Sequence, residues 1–174
     1  MNKKQTLLLR FLEESGARLH GMLTRLTLDE TVAEELMQDL FIRLFEIKHL
    51  EKIENLPAYA CRIAMNLAFD RRRKQRFFEP IPDDQTDNRT PHVHLRLVKN
   101  EELGHILSAA EQLSGQTREC FVLRYIEQMD YDKIAERTQK SAQQVRALCS
   151  KGIGRIRQIL NKQNASFYKE AINE

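Results

Sequence analysis

The chain is poor in the residues that interrupt helices, with 6 glycines and 4 prolines in 174 residues. Alternating β-branched runs are nearly absent as well, so a fold built from sheets is not expected. No apolar run approaches the roughly 20 residues needed to cross a bilayer. Leu7, Leu8 and Leu9 follow a basic start but are cut off by Arg10, Glu13 and Glu14. That stretch is too short and too charged for a secretory segment, and a cytoplasmic location is expected. The 3 cysteines, Cys61, Cys120 and Cys149, are odd in number and far apart, which excludes a disulfide framework. They also lack the paired spacing of a zinc site. His92 and His94 flank Val93 in a polar stretch, and His20, His49 and His105 stand elsewhere, so no metal is expected. No nucleophile–base pattern and no glycine-rich phosphate loop is present. Neither enzymatic activity nor a cofactor is expected. An excess of one charge is missing too: 28 Lys and Arg stand against 25 Asp and Glu, a net charge of +3. Where the charges sit therefore matters more than their sum.

What is present is apolar spacing of helical period almost throughout. Leu8, Leu12, Leu19, Leu23 and Leu26 suggest one long helix or two short ones, weakened at Gly16 and Gly21. Asp29 offers an N-cap to the next helix, where Val32, Leu36, Leu40 and Leu44 form one buried stripe. Pro57 marks another helix start. That helix carries Ile63, Leu67 and Tyr59 inward and ends in Arg71-Arg72-Arg73-Lys74-Gln75-Arg76. Residues 79–95 are polar, acidic and proline-rich, a linker by their chemistry. Beyond it, helices are expected near Leu97–Leu113, Gly115–Ile126, Tyr131–Arg137 and Ser141–Leu160.

The last two of these helices follow a helix-turn-helix plan, in which the second helix enters the major groove. Ser141 is its N-cap, and Val145, Cys149, Ile153 and Ile156 are its inward stripe. The outward set is Ser141, Gln143, Gln144, Arg146, Ala147, Ser150 and Lys151. Gln and Arg make paired hydrogen bonds to adenine and guanine edges, whereas Ser150, Lys151, Arg155 and Arg157 suit phosphates. On its own such a face also fits a merely solvated helix. Gln139 occupies the turn position where glycine would cross into left-handed backbone more cheaply.

The basic run at Arg71–Arg76 by itself fits a solvated helix end. Its helix also carries Tyr59, Asn66 and Phe69, with Phe77 and Phe78 just beyond. Cations for a backbone, with aromatics and an amide for unstacked bases, are what single-stranded DNA binding requires. Glu34, Glu35, Gln38 and Asp39 form an acidic, amide-bearing face that phosphates would avoid. A basic protein surface is its natural partner.

Four stretches resemble the extracytoplasmic-function (ECF) sigma factors of the sigma-70 family. They are Ala33–Phe45 (AEELMQDLFIRLF), Leu56–Arg73 (LPAYACRIAMNLAFDRRR), Leu113–Tyr125 (LSGQTRECFVLRY) and Tyr131–Glu136 (YDKIAE). The resemblance runs from about Phe11 to Arg157. It implies that Glu35, Gln38 and Asp39 bind the β′ coiled coil of core RNA polymerase. Asn66 would hold a flipped base of the −10 element, aided by Tyr59 and by the loop near Leu50–Leu56. Arg71, Arg72, Arg73 and Lys74 would follow the DNA backbone, and the helix from Ser141 would read the −35 element. The second domain would also lie on the β flap, and an anti-sigma factor would be a partner. The chain departs from the family pattern at Tyr59 (usually Trp), Cys61 (often aromatic), Ser114-Gly115 (Pro-Glu), Gln139 (Gly), and Leu148-Cys149 (Arg-Leu).

The expected fold is all-α, with two small helical domains joined by a polar linker. A sigma region 2 bundle spans 5–78, the linker 79–95, a region 4 helix-turn-helix domain 96–162 and a tail 163–174. The expected function is promoter recognition and melting for core RNA polymerase, on double- and single-stranded promoter DNA. A helix-turn-helix regulator that acts without polymerase is the competing reading.

Overall fold

The computed structural model describes residues 3–78 and 91–172, with side chains for 4–76 and 100–163. All regular structure among the described residues is helical, and the chain divides into two compact units, Met1–Ile81 and Pro82–Glu174.

The first unit holds α1 (Lys3–Thr27), α2 (Glu30–Glu46), a 3-10 turn at Leu50–Lys52, and α3 (Leu56–Phe78). α1 is one continuous helix through Gly16 and Gly21. Each glycine costs about 1 kcal/mol against alanine. Burial of Leu8, Phe11, Leu19, Met22, Leu23 and Leu26 outweighs that, at roughly 1.5–3 kcal/mol per large side chain. Asp29 caps α2 by accepting a hydrogen bond from the Val32 amide at 3.1 Å. Asn55 caps α3 in the same way, accepting from the Ala58 amide at 2.9 Å. The three helices pack pairwise. The α2 stripe Val32, Leu36, Leu40 and Leu44 is buried, as its spacing requires. On α3 the buried face is largely small: Ala58, Ala60, Ala64 and Ala68 let its backbone approach its neighbours, and Leu67 and Phe69 fill the remaining space.

Three inward assignments change. Tyr59 turns outward and is 38% exposed, while Ile63 and Leu12 are only half-buried. Tyr59 lies one residue away from the line through Ala60, Ala64 and Leu67, which faces the core.

The second unit holds α4 (Pro91–Ala110), α5 (Gly115–Phe121), a π-helical turn at Val122–Ile126, α6 (Tyr131–Thr138), and α7 (Ala142–Ile172). α4 begins at Pro91, before Leu97 and inside the expected linker. Proline suits a first helical position, because its missing N–H would have no partner there anyway. Residues 79–90 of that linker lie outside the described residues. α7 runs through most of the expected tail to Ile172, over a stretch containing the helix formers Ala165, Lys169, Glu170 and Ala171.

In the π turn, the Glu127 amide donates to the Val122 carbonyl at 2.9 Å, five residues back. The core of this unit gathers Leu107, Leu113, Phe121, Leu123, Ile134, Val145 and Ile156. α5 crosses α7 at Gly152, where a Cβ would meet Thr117 Cγ2 at 3.3 Å.

The corner between α6 and α7 turns on Gln139, at φ 55° and ψ 41°. The Lys140 amide donates to the Ala135 carbonyl at 3.0 Å and the Gln139 amide to Glu136 at 3.4 Å. This pair closes a Schellman motif, whose left-handed position normally carries glycine. Gln139→Gly removes the Cβ penalty and keeps both backbone bonds. It is expected to stabilise the second unit by about 1 kcal/mol, read as a higher midpoint in urea denaturation.

Cys120 and Cys149 are fully buried in this core, and Cys149 Sγ lies 3.5 Å from the Cys120 carbonyl oxygen. Burial, then the neighbouring Cys149 and Glu119, pushes the Cys120 thiol up to about 11 from an ordinary 9.0. The fold thus prefers the neutral thiol. That contribution is whole below pH 9 and is lost as pH rises towards 11. Unfolding titrations of the second unit are expected to lose about 2 kcal/mol across this window. Cys120→Ala should flatten that slope.

Candidate nucleic-acid interface

On α3, side chains at positions three and four apart share a face. Tyr59, Arg62, Asn66 and Arg73 follow this spacing and are all exposed, opposite the alanine-rich buried face. Aromatic ring, guanidinium and amide thus project together from one helix, the set of groups that binding of stacked or splayed bases requires. Arg62 was not singled out from sequence. Its place between Tyr59 and Asn66, at i+3 and i−4, is the signal that would have found it.

The basic end of α3 is less uniform than its sequence. Arg71 pairs with Glu35 on α2 at 2.8 Å. Arg72 folds back, and its guanidinium donates to the Leu26 carbonyl at the end of α1, at 3.3 Å. Burial, then the neighbouring Arg76, lowers its pKa from the usual guanidinium value. Arg73 pairs with Asp70, and Lys74 is exposed. Of the run, Arg73, Lys74 and Arg76 are exposed, and Arg72 donates to the end of α1. Phe69 is 1% exposed, so it is a core residue and not a base platform. The side chains of Phe77 and Phe78 lie outside the described residues.

The face of α2 opposite its buried stripe carries Glu34, Glu35, Gln38 and Asp39, all exposed. Ile42 continues this row and is 52% exposed, with Phe45 one turn further at 46%. Two apolar side chains beside a carboxylate row suit a protein partner better than water alone. In the 3-10 turn before α3, Leu50 is buried while Glu51, Lys52 and Glu54 are exposed. Glu51 has its pKa lowered, mainly by a backbone hydrogen bond.

In the second unit the expected reading face is assembled as a face. Ser141, Gln143, Gln144, Arg146, Ala147, Ser150 and Lys151 are all exposed, while Val145, Cys149 and Ile156 are buried behind them and Ile153 is half-buried. Ser141 and Gln144 do more than face outward. The Ser141 hydroxyl accepts from the Gln144 amide at 3.1 Å, and Gln144 Oε1 accepts from the Ser141 amide at 2.9 Å. This is a capping box with Gln in the third position. It occupies the Gln144 oxygen and leaves its amino group to donate. Beside Lys151, a cleft of about 410 Å³ is lined by Ser114, Thr117, Arg155 and Gln158 among others, polar donors suited to a phosphate.

No helix among the described residues is long and apolar enough to cross a membrane. Among the described residues, no group of three His, Cys, Asp or Glu is arranged to hold a metal ion. The side chains of His92 and His94 lie outside those residues.

Two helical units, one carrying a helix-turn-helix and the other an aromatic-amide-guanidinium stripe, fit the class of nucleic-acid-binding proteins. Residues 11–78 match the family described as Sigma-70 region 2, and residues 103–156 match Sigma-70, region 4. The chain is 21% identical to an ECF RNA polymerase sigma factor, SigK of Mycolicibacterium vanbaalenii, over 86% of this chain and 80% of that protein. It is 25% identical to the ferric citrate uptake sigma factor FecI of Escherichia coli, over 78% of this chain and 80% of that one. The chain belongs to the sigma-70 family, as a sigma factor of the ECF type. Its function is promoter recognition in transcription initiation.

Proposed function

We propose a division of labour between the two units within the polymerase holoenzyme. Residues 5–78 bind core RNA polymerase and the unpaired −10 bases, and residues 96–162 read the duplex −35 element and lie on the β flap. Glu35, Gln38 and Asp39 engage the β′ coiled coil through their charge and amide groups. Asn66 holds an extruded base, Tyr59 offers a ring for stacking, and Arg73 and Lys74 follow the strand, with Arg62 beside them. The observation that carries the reading is the α7 face, seven exposed polar or small residues backed by a buried apolar stripe.

The energetics are consistent. Opening duplex DNA loses about 1.4 kcal/mol of stacking per step. Stacking of a released base on an aromatic ring returns roughly 1–3 kcal/mol, and phosphate contacts supply sequence-independent affinity. No covalent step is needed from this chain. An anti-sigma factor belongs to the same reading on the ground of ECF kinship alone.

The test is co-purification of the full chain with core polymerase, followed by run-off transcription on duplex and pre-melted templates. Stable association with start-site selection is expected. Duplex binding without association would favour a regulator that acts without polymerase.

A further inference from the structure

Arg146, one of the expected base readers on α7, has no acidic partner among the described residues. It lies over an aromatic ring from the other helix of the motif. Its guanidinium carbon sits 5.3 Å from the centroid of Tyr131, the first residue of α6. Arg124, from the π turn, lies 4.5 Å from the same centroid. Arg124 is itself anchored, donating to the Met129 carbonyl at 2.8 Å. Burial, then the neighbouring Tyr131 side chain, raises the Tyr125 pKa. Both guanidiniums lie over the ring of Tyr131, which α6 carries.

We infer that Tyr131 is a positioning residue for promoter reading: its ring pre-orients Arg146 for one base pair of the −35 element. The inference rests on the reading of α7 as the groove-entering helix. The physical case has three parts. A free arginine side chain loses close to 2 kcal/mol of rotamer freedom when fixed, and a ring that already holds it removes part of that loss on binding. A guanidinium held over a ring keeps its N–H groups free to donate to guanine O6 and N7. A carboxylate partner would instead occupy those groups and would have to be displaced. The second cation, Arg124, adds positive potential at the same place and favours an electron-rich base edge or a phosphate over a neutral contact. The π turn is part of the device. It continues α5 as a widened turn, and Arg124 and Tyr125 both lie within it.

The experiment uses the full chain assembled with core polymerase and a promoter library randomised over the upstream element. Four proteins are compared: wild type, Arg146→Ala, Tyr131→Phe and Tyr131→Leu. Wild type and Tyr131→Phe are expected to select the same bases, because both keep the ring. Arg146→Ala should lose preference at one position by roughly tenfold or more, the size of a bidentate base contact. Tyr131→Leu keeps apolar bulk without the ring and should lose preference at that same position, by at least a few-fold. Adding Tyr131→Leu to Arg146→Ala should then change nothing further. A merely structural Tyr131 would weaken selection evenly across all positions, and that result overturns the inference. So does Tyr131→Leu selecting as wild type does while Arg146→Ala does not, which leaves the groove-reading role of α7 standing. If Arg146→Ala selects as wild type does, Arg146 reads no base and the inference falls. If even the wild-type assembly selects no upstream sequence, the promoter-reading role itself fails.

Discussion

Reversing two charges on α2, Glu35→Lys together with Asp39→Lys, is expected to lower association with core polymerase at least about 100-fold. Both side chains are exposed on the face opposite the buried Leu36 and Leu40. The substitutions therefore touch no core contact, and lysine is as good a helix former as glutamate. If a basic surface docks here, each reversal replaces attraction with like-charge contact, and the loss across an interface amounts to several kcal/mol. Every 1.4 kcal/mol is tenfold in affinity. Inside the unit the change is small. The Arg71–Glu35 pair is half-exposed, with side chains 37% and 52% accessible, and such pairs contribute only about 0–1 kcal/mol. The thermal midpoint should fall by no more than a few degrees. The control is Glu13→Lys with Glu14→Lys, an equal change in net charge on exposed positions of α1. Comparable loss from both pairs would mean that bulk charge acts, and not the α2 face.

That same ion pair limits what sequence could say. The acidic face of α2 and the basic end of α3 were legible as separate patches, because each is a run of one charge at helical spacing. Their contact across helices was not, since Glu35 and Arg71 are 36 positions apart and only packing brings them together. Periodicity gave the buried α2 stripe and the α7 face, because one face of a helix is a local property. It failed for Phe69, where an aromatic beside a basic run looked like a nucleotide platform. The register of α3 against its neighbours buries that ring. The inward contact of Arg72 was hidden for a related reason. Its use is to satisfy the Leu26 carbonyl at the end of α1, a helix-end requirement invisible from α3 alone. The left-handed turn at Gln139 was anticipated from the motif, against local preference. The cation–ring cluster around Tyr131 was not, because it joins two helices and a widened turn that no propensity announces.

Leu40→Ala is expected to destabilise the first unit by about 3 kcal/mol, the middle of the range for deleting a buried leucine side chain. Leu40 has no exposed surface, and α2 packs against both α1 and α3, so the cavity would be enclosed by helices on more than one side. α2 has few routes to collapse into that space, since Leu36 and Leu44 on either side of Leu40 are themselves buried. For a unit of this size the loss corresponds to a fall of roughly 10–20 °C in the thermal midpoint. Leu40 also directly follows Gln38 and Asp39 on the same helix, so the variant would weaken polymerase binding as well. Temperature separates the two routes to that loss. With Leu40→Ala, association should return on cooling well below the lowered midpoint, because the exposed row is unchanged whenever the helix is folded. With Glu35→Lys and Asp39→Lys, no temperature should restore it. Should Leu40→Ala remain unable to bind polymerase in the cold while its circular dichroism is native, the row on α2 would depend on the exact packing of the helix and not on its charges alone.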